Sequence, residues 1–319
     1  MKKILFLCIA VSLLANSALS DEIKVGIIGL DTSHSIAFTK DMNAENATGN
    51  LAKCRVVAAF PEGSKNIESS SSRIPGYTEK ITAMGVEIVP SIEALLEKVD
   101  AVLLETNDGH PHLEQVIPVL QAGKRVFVDK PIAGSLKDAI AIFEASEKYQ
   151  IPLFSSSSLR FGKDTQAVRS GAHGKIVSCR TTSPAKTEPS HPDLFWYGIH
   201  GVESLFTVMG TGCQSVKRSS TEDGKIMVEG TWENGRTGTF LEGKGYHGEA
   251  VNEKGETIKV GSYDGYRPLV EKIADYFVTG AMPVTSQETL EIYAFMEAAD
   301  ESKRQGGAEV TLQSVMPQP

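Results

Sequence analysis

The stretch KVGIIGLDTSHSIAFTKD, residues 24–41, decides the fold class of this chain. Its apolar run, within residues 23–30, predicts a strand buried in a parallel sheet, and Gly29 marks a tight turn after it. Residues 35–46 then predict a helix. A strand, a glycine turn and a helix in this order are typical of a doubly wound sheet. In such a sheet, ligands bind beyond the carboxyl ends of the strands.

The turn departs from the glycine pattern G-x-G-x-x-G, in which glycines let backbone N–H groups approach a pyrophosphate. Counted from Gly29, the second glycine position holds Asp31 and the third holds His34. A carboxylate about 4 Å from a phosphate charge costs on the order of 4 kcal/mol at an effective dielectric constant of about 20. The alternative is that Asp31 and Ser33 only cap the following helix.

Strand and helix patterns continue to alternate up to residue 157, which predicts a parallel, doubly wound sheet. Further strands are predicted at 54–60, 86–90, 100–106, 124–129 and 151–157, helices at 91–99, 111–123 and 135–150, and a long loop at 61–80.

After residue 158, polar and apolar residues alternate, and ENGRTG indicates a hairpin, so we expect a mostly antiparallel sheet. Helices are predicted at 194–210, 266–280 and 286–307. The fold class is therefore α/β: an N-terminal Rossmann-like domain (21–157) and a C-terminal α+β domain (158–319). The second domain would carry the substrate and dimerisation surfaces, with its C-terminal helices packing back on the first domain.

Composition limits the class of partner. The chain has 319 residues, of which 41% are hydrophobic and 23% charged, as in ordinary globular proteins. The net charge of −8, without a cluster of Lys and Arg, argues against a nucleic-acid partner. Cys54, Cys179 and Cys213 are widely spaced, which favours separate buried thiols over a disulfide framework, although one bridge stays open.

Residues 1–20 have the pattern of a secretory signal peptide. Lys2 and Lys3 precede the apolar run ILFLCIAVSLLA, and small residues at Ala18 and Ser20 indicate cleavage after Ser20. The run is too short for a membrane-spanning helix, although an uncleaved anchor is the alternative. We therefore expect a secreted or periplasmic protein, exported by a Sec-type signal and free of the membrane after cleavage.

Three later segments resemble the Gfo/Idh/MocA oxidoreductase family. HLEQVIPVLQAGKRVFVDKP (112–131) is similar to the family's segment from a histidine through Ala-Gly-Lys to Glu-Lys-Pro, with Asp129 replacing the glutamate and Lys130 retained. YGIHGVESLFTVMG (197–210) resembles the helix that carries the family's active-site histidine, here His200. PVTSQETLEIYAFMEAADESKRQGG (283–307) resembles the family's C-terminal helix.

The resemblance implies an oxidoreductase that uses NAD or NADP and acts on a sugar or sugar-like substrate between the domains. It implies that Lys130 and His200 act at the substrate, with Tyr197 beside them, and it allows a homo-oligomer. Cofactor contacts are expected from the glycine turn and from the ends of later strands: Gly29, Asp31, Thr32, Ser33, His34, Glu62, Asn107, His112 and Asp129.

Two further positions depart from the family pattern. Pro61 and Glu62 follow the second strand, where an acid would bind the adenosine ribose. Trp196 stands where many members carry an aspartate four residues before His200. Two alternatives therefore stay open. One is a carbohydrate lyase or hydrolase on the same scaffold, and the other is a non-catalytic binding protein that has lost NAD(P).

Other polar and aromatic residues have less specific patterns. Residue types that bind metals stand close together in HPDLFWYGIHGVE, namely His191, Asp193, His200 and Glu203. Their spacing matches no standard zinc signature, so we predict no metal site. The aromatic residues Phe195, Trp196 and Tyr197 suit either a sugar-stacking wall or the core. Arg160, within SSSSLRFGKD, is a candidate for binding a polar or anionic ligand.

Overall fold

The computed structural model describes residues 22–317, so the predicted signal peptide lies outside the described residues. The first sheet is parallel throughout, in the order β3-β2-β1-β4-β5-β6. Its strands are β1 (Ile23–Ile28), β2 (Cys54–Phe60), β3 (Glu87–Ile88), β4 (Ala101–Leu104), β5 (Arg125–Val128) and β6 (Leu153–Phe154). Strands β1 and β4 lie at its centre, and all four residues of β4 are buried, as their apolar sequence predicts.

Helices α1 to α6 lie between residues 33 and 149, among the strands of the first sheet. They are α1 (Ser33–Met42), α2 (Glu68–Ser71), α3 (Ile74–Ala83), α4 (Ile92–Leu96), α5 (His112–Gln121) and α6 (Leu136–Tyr149). The predicted loop at 61–80 is wrong from residue 68 onward, because α2 and most of α3 lie there. Proline in the first turn of α3 is compatible with a helix start, and Ile81 anchors that helix in the core with 0% exposure.

The second sheet is mostly antiparallel, with one parallel pair between β7 and β10, in the order β12-β11-β7-β10-β9-β8-β13. Its strands are β7 (Ile176–Ser183), β8 (Cys213–Ser220), β9 (Ile226–Trp232), β10 (Thr237–Glu242), β11 (His247–Asn252), β12 (Thr257–Val260) and β13 (Val310–Thr311). The remaining helices are α7 (Lys163–Arg169), α8 (Ile199–Met209), α9 (Arg267–Thr279), α10 (Ser286–Arg304) and α11 (Leu312–Val315). The predicted fold class is confirmed.

Helix α8 is the element that brings the second domain to the candidate site. All of its residues are buried, and it packs on β7 and β10. A Cβ atom at Gly201 would lie 2.6 Å from the ring of Phe240 and 2.7 Å from Oγ of Ser183, so only glycine permits this contact. The helix begins at Ile199 rather than at 194, because residues 193–198 form turns.

Two further properties follow from the described residues. Cys54, Cys179 and Cys213 are separate buried thiols, as predicted. Between residues 22 and 317, no helix combines the length and the apolar character that a membrane crossing requires.

Helix α9 packs on α1, β2 and β5, and α10 contacts α6 and β8. The C-terminal helices therefore contact both sheets.

Candidate active-site cleft

A cleft of about 580 Å³ lies where the carboxyl ends of the first sheet face the second domain. Its size is typical of small-molecule sites. The first domain contributes mainly polar residues, among them Thr32, Ser33, His34, Asn107 and Lys130. The second domain contributes aromatic residues and one histidine, namely Trp196, Tyr197, His200, Tyr246, Tyr263 and Tyr266.

Lys130 enters the cleft from the end of β5, two residues after the strand. The residue is only 7% exposed, and its Nζ lies 6.0 Å from the centre of the Tyr197 ring. A lysine at this end of a central parallel strand faces the ligand side of the sheet, as the sequence predicts. Its position suits contact with a bound hydroxyl or carbonyl oxygen.

His200 lies opposite, in the first turn of α8, and is 8% exposed. Its Nδ1 is 2.7 Å from Oγ of Ser157, which leaves Nε2 for a ligand. Burial lowers the pKa of His200 well below its usual value, and the charges of Lys130 and His34 lower this pKa further. The imidazole is therefore neutral at neutral pH, as proton acceptance requires.

The aromatic side of the cleft presents both ring faces and hydroxyls. The hydroxyls of Tyr197 and Tyr246 are 3.2 Å apart, and Tyr263 packs between the rings of Tyr246 and Tyr266. Burial raises the pKa of Tyr246 and of Tyr266, so both phenols keep their protons at neutral pH. Flat apolar faces with neutral hydroxyls suit a ligand that is itself a ring bearing hydroxyls.

The altered glycine turn has a different arrangement from the one the sequence suggests. The Asp31 carboxylate is fully buried and accepts hydrogen bonds from the Ser64 and Asn107 backbone N–H groups, at 2.7 and 3.1 Å. The Ser64 hydroxyl donates a third bond, at 2.5 Å. The prediction that Asp31 and Ser33 cap α1 is wrong, because the capping side chain is that of Thr32. Asp31 instead connects the turn, through these hydrogen bonds, to the loops after β2 and β4.

Beneath the cleft lies a group that we name the acidic cluster: His34, Glu105 and Asp129. Nδ1 of His34 is 2.7 Å from Oδ2 of Asp129, and candidate ligand atoms of all three residues lie within 4.8 Å of one another. Three of the cluster's carboxyl oxygens have no hydrogen-bond partner among the described residues: both oxygens of Glu105 and Oδ1 of Asp129.

The two carboxyl groups of the acidic cluster differ in charge. Burial raises the pKa of Glu105 well above its usual value, and the charge of Asp129 adds to this rise. Burial opposes ionisation of Asp129 too, but the neighbouring His34 keeps the pKa of Asp129 below its usual value. Sequence reasoning missed Glu105. The signal was an acid directly after the apolar run AVLL.

Of the other residues predicted to contact the cofactor, Asn107 lies in the cleft, whereas Glu62 and His112 do not. Asn107 lines the cleft, and its side-chain amide donates to Oγ of Ser70 at 2.8 Å. Glu62 is exposed within the loop after β2 and does not line the cleft. His112 is fully buried, with Nε2 2.7 Å from the Thr106 carbonyl oxygen, so its ring is directed into the protein rather than into the cleft.

A second buried ionic group, the paired cluster, contains Arg160, Arg169, Glu203 and Glu288. Arg160 donates to Glu203 and to Glu288, each at 2.7 Å, and Arg169 donates to Glu288 at 2.8 Å. The suggestion that Arg160 binds an anionic ligand is therefore wrong, because two carboxylates already neutralise it. Phe195 likewise belongs to the core and not to a sugar-stacking wall, with its ring 4.8 Å from that of Tyr293.

Comparison with known proteins finds a family match within the first domain. Residues 23–156 match the GFO_IDH_MocA family model, described as an oxidoreductase family with an NAD-binding Rossmann fold. A myo-inositol 2-dehydrogenase from Thermotoga maritima is 33% identical over 107 residues, 32% of this chain and 31% of that protein. An uncharacterized oxidoreductase from Streptococcus pneumoniae is 26% identical over 122 residues, 36% of this chain and 33% of that protein. The matches thus span about a third of each curated relative.

Solved structures extend the likeness to the whole fold. A probable dehydrogenase from Thermotoga maritima superposes with a TM-score of 0.75 at 19% identity, covering 92% of this chain and 100% of that one. The scyllo-inositol dehydrogenase from Lactobacillus casei, solved with NAD(H) and scyllo-inositol, gives 0.68 at 17% identity, covering 92% and 99%. Residues 23–156 are therefore similar to the Gfo/Idh/MocA oxidoreductase family, and the chain as a whole shares its fold with solved dehydrogenases.

Proposed function

We propose that this protein is an NAD(P)-dependent oxidoreductase that acts on a cyclic polyol or a pyranose sugar. The observation that carries the proposal is the convergence of Lys130, His200 and Tyr197 from two domains on one tyrosine-lined cleft. Two relatives that share the fold or part of the sequence are inositol dehydrogenases by name, which favours a ring bearing several hydroxyls.

The glycine turn fits a dinucleotide better than its sequence suggests. Gly29 has φ +90°, and a Cβ atom there would lie 2.6 Å from the Thr106 backbone nitrogen, so the tight turn is retained. Thr32 and Ser33, at the start of α1, line the cleft, where helix N–H groups and hydroxyls can bind a pyrophosphate. Three protein donors hold the Asp31 carboxylate, which is fully buried and outside that lining, so it is not exposed to a ligand in the cleft.

A bound nicotinamide would supply hydride acceptance or donation at the substrate carbon. The chain itself supplies the control of charge and protons. The ammonium group of Lys130 would stabilise negative charge on the reacting oxygen. Neutral His200 can take the hydroxyl proton at Nε2 when its Nδ1–H donates to Ser157, so Ser157 would set the tautomer.

The direct test is turnover with a panel of inositols and aldopyranoses, followed by the absorbance of reduced nicotinamide. We expect at least one member to be oxidised with NAD⁺ or NADP⁺. Lys130→Met should lower kcat by roughly 10²–10⁴-fold, a range typical of lost acid–base groups. Cofactor binding, measured by calorimetry, should persist in this variant.

Lys148→Met is the matched control, because Nζ of Lys148 also lies over a tyrosine ring, at 5.2 Å from the centre of Tyr149, but on the exterior. It should leave turnover unchanged. A folded protein that binds none of NAD⁺, NADH, NADP⁺ and NADPH at millimolar concentration would overturn the proposal. Cofactor-free turnover of a sugar would then support the lyase or hydrolase alternative.

A further inference from the structure

We propose that Asp108, His110 and His191, the histidine cluster, form a binding site for a divalent transition-metal cation of the zinc type. Asp108 and His110 follow β4 in the first domain, whereas His191 lies in the segment before α8 in the second. None of the three lines the cleft, so the site is separate from the candidate active site. The inference does not depend on the proposed oxidoreductase activity.

The geometry brings three donors of suitable chemistry together. Oδ1 of Asp108 lies 2.8 Å from Nδ1 of His110 and 3.4 Å from Nε2 of His191. Candidate ligand atoms of all three residues are within 4.8 Å of one another, and the two imidazole centres are 4.5 Å apart. Two imidazoles and one carboxylate are a donor set that zinc accepts, and three protein ligands leave a coordination position open.

His191 provides an independent indication that a ligand is expected. Its side chain is 0% exposed, yet Nε2 has no hydrogen-bond partner among the described residues. A buried polar atom without a partner costs about 1–3 kcal/mol. That atom is directed at Asp108, and a cation placed between them would bond to both. The unpaired nitrogen is thus explained by a ligand site.

The surroundings hold the His191 ring in position from its other side. Oγ of Ser190 lies 3.0 Å from Nδ1 of His191, and the Trp196 ring packs against the imidazole with a centroid separation of 5.0 Å. Contacts of this kind, which orient a histidine through its second nitrogen, are typical of metal ligands. His110, in contrast, has a side chain that is 44% exposed, so it leaves an entry path from solvent.

The sequence gives little sign of this site, because its ligands are 81 positions apart between His110 and His191. The acidic cluster is a weaker candidate for a cation. Lys130 directly follows Asp129 in the chain, and its charge acts on both carboxyl groups of that cluster, which disfavours a second cation there. A metal at the histidine cluster would connect the two loops that carry Asn107 and Trp196 into the cleft.

The test is metal binding by the purified, chelator-treated protein, with Zn²⁺ in calorimetry and Co²⁺ in visible absorption. We expect one saturable site of micromolar or tighter affinity and a cobalt spectrum indicating nitrogen ligation. The melting temperature should rise with Zn²⁺ concentration, because a ligand present at about 100 times its Kd stabilises the native state by roughly 2.7 kcal/mol.

His191→Ala, Asp108→Asn and His110→Ala should each weaken Zn²⁺ binding by at least tenfold. The His110 side chain is 44% exposed, so this variant is expected to fold even if the other two do not. His173→Ala, at an exposed histidine elsewhere, should bind as the unchanged protein does. The proposal is overturned if the folded protein binds no Zn²⁺ saturably. It is also overturned if all three cluster variants bind normally, or if Glu105→Gln alone abolishes binding. Loss of nicotinamide binding would not bear on it.

Discussion

The paired cluster and the acidic cluster are both buried ionic groups near the domain boundary, but their hydrogen bonding differs. In the paired cluster, Glu203 also accepts from the Ser157 backbone N–H at 2.7 Å, and among its fully buried side-chain atoms Nη2 of Arg160 alone is without a partner in the described chain. In the acidic cluster, both oxygens of Glu105 and one of Asp129 are without partners there. The paired cluster thus has one fully buried atom without a partner, and the acidic cluster has three.

This difference separates structural charge from charge kept for a ligand. A buried ion pair is tolerated when opposite charges and hydrogen bonds offset the loss of water, and the paired cluster meets that condition. A carboxyl group buried without partners destabilises the fold, so its presence is explained more readily by function than by stability. The acidic cluster lies directly under the cleft, where such a role is expected.

The largest effect should come from breaking the paired cluster. Arg160→Leu would leave the buried Glu203 without its cationic partner and would remove one of two cations from Glu288. Removing one partner of a buried ion pair typically costs about 3–5 kcal/mol. We expect the free energy of unfolding, measured in urea, to fall by this amount or the variant to be insoluble.

The control is Arg267→Leu, which removes an exposed pair with Glu271 on α9. Exposed i, i+4 pairs contribute only about 0.3–0.5 kcal/mol, so this variant should unfold almost as the unchanged protein does. Equal losses in the two variants would mean that the paired cluster is not structural, and the comparison would fail.

The sequence predicts where some buried residues lie but not how they are paired. Alternating strands and helices predict the parallel sheet, and the end of β5 predicts that Lys130 faces the ligand side. These features depend on local periodicity and on topology. The partners of Arg160 and His191 lie in distant segments, so no local pattern indicates whether either residue is paired.

Asp31 shows why a correct residue assignment can give the wrong geometry. A carboxylate at the second glycine position would be expected to face the phosphate, because the missing glycine adds a side chain at that point. The structure turns the carboxylate toward Ser64 and Asn107 instead. Ser64 belongs to a Gly- and Ser-rich segment that has no periodic pattern, so its approach to Asp31 could not be predicted.

A smaller effect, of opposite sign, should come from the acidic cluster. Glu105→Leu removes a buried carboxyl that has no partner in the described chain, so we expect the free energy of unfolding at pH 7 to rise by about 1–3 kcal/mol. The pKa of Glu105 is raised, so the folded group stays protonated while the unfolded one ionises above its ordinary pKa. The native state therefore loses stability as pH rises from that value, and the advantage of the variant should grow between pH 5 and pH 7.

Glu87→Leu is the matched control, because Glu87 is an exposed strand residue whose ion pair with Lys98 is open to water. Its free energy of unfolding should change by less than about 0.5 kcal/mol at both pH values. A Glu105→Leu variant that is less stable than the unchanged protein at pH 7 would show that Glu105 is paired in solution, which would remove the contrast between the clusters.

The smallest effect concerns His200, which borders both clusters through Ser157 on one side and Lys130 on the other. Its pKa is lowered, so below about pH 6.5 the unfolded imidazole binds a proton that the folded one does not. The free energy of unfolding should then fall with decreasing pH by up to about 1.4 kcal/mol per pH unit for this group. His112, also buried with a lowered pKa, adds to the same slope.

Urea unfolding at pH 7.0, 6.0 and 5.5 measures this slope. His200→Gln should remove the contribution of one titrating group from this slope and leave the contribution of His112. His173→Gln, at an exposed position, should not change the slope. Parallel curves for His200→Gln and the unchanged protein would mean that His200 binds protons equally in the native and unfolded states, which would contradict the lowered pKa. A shallower slope would mean that burial, together with the charge of Lys130, keeps the His200 ring neutral in the native state, as proton acceptance requires.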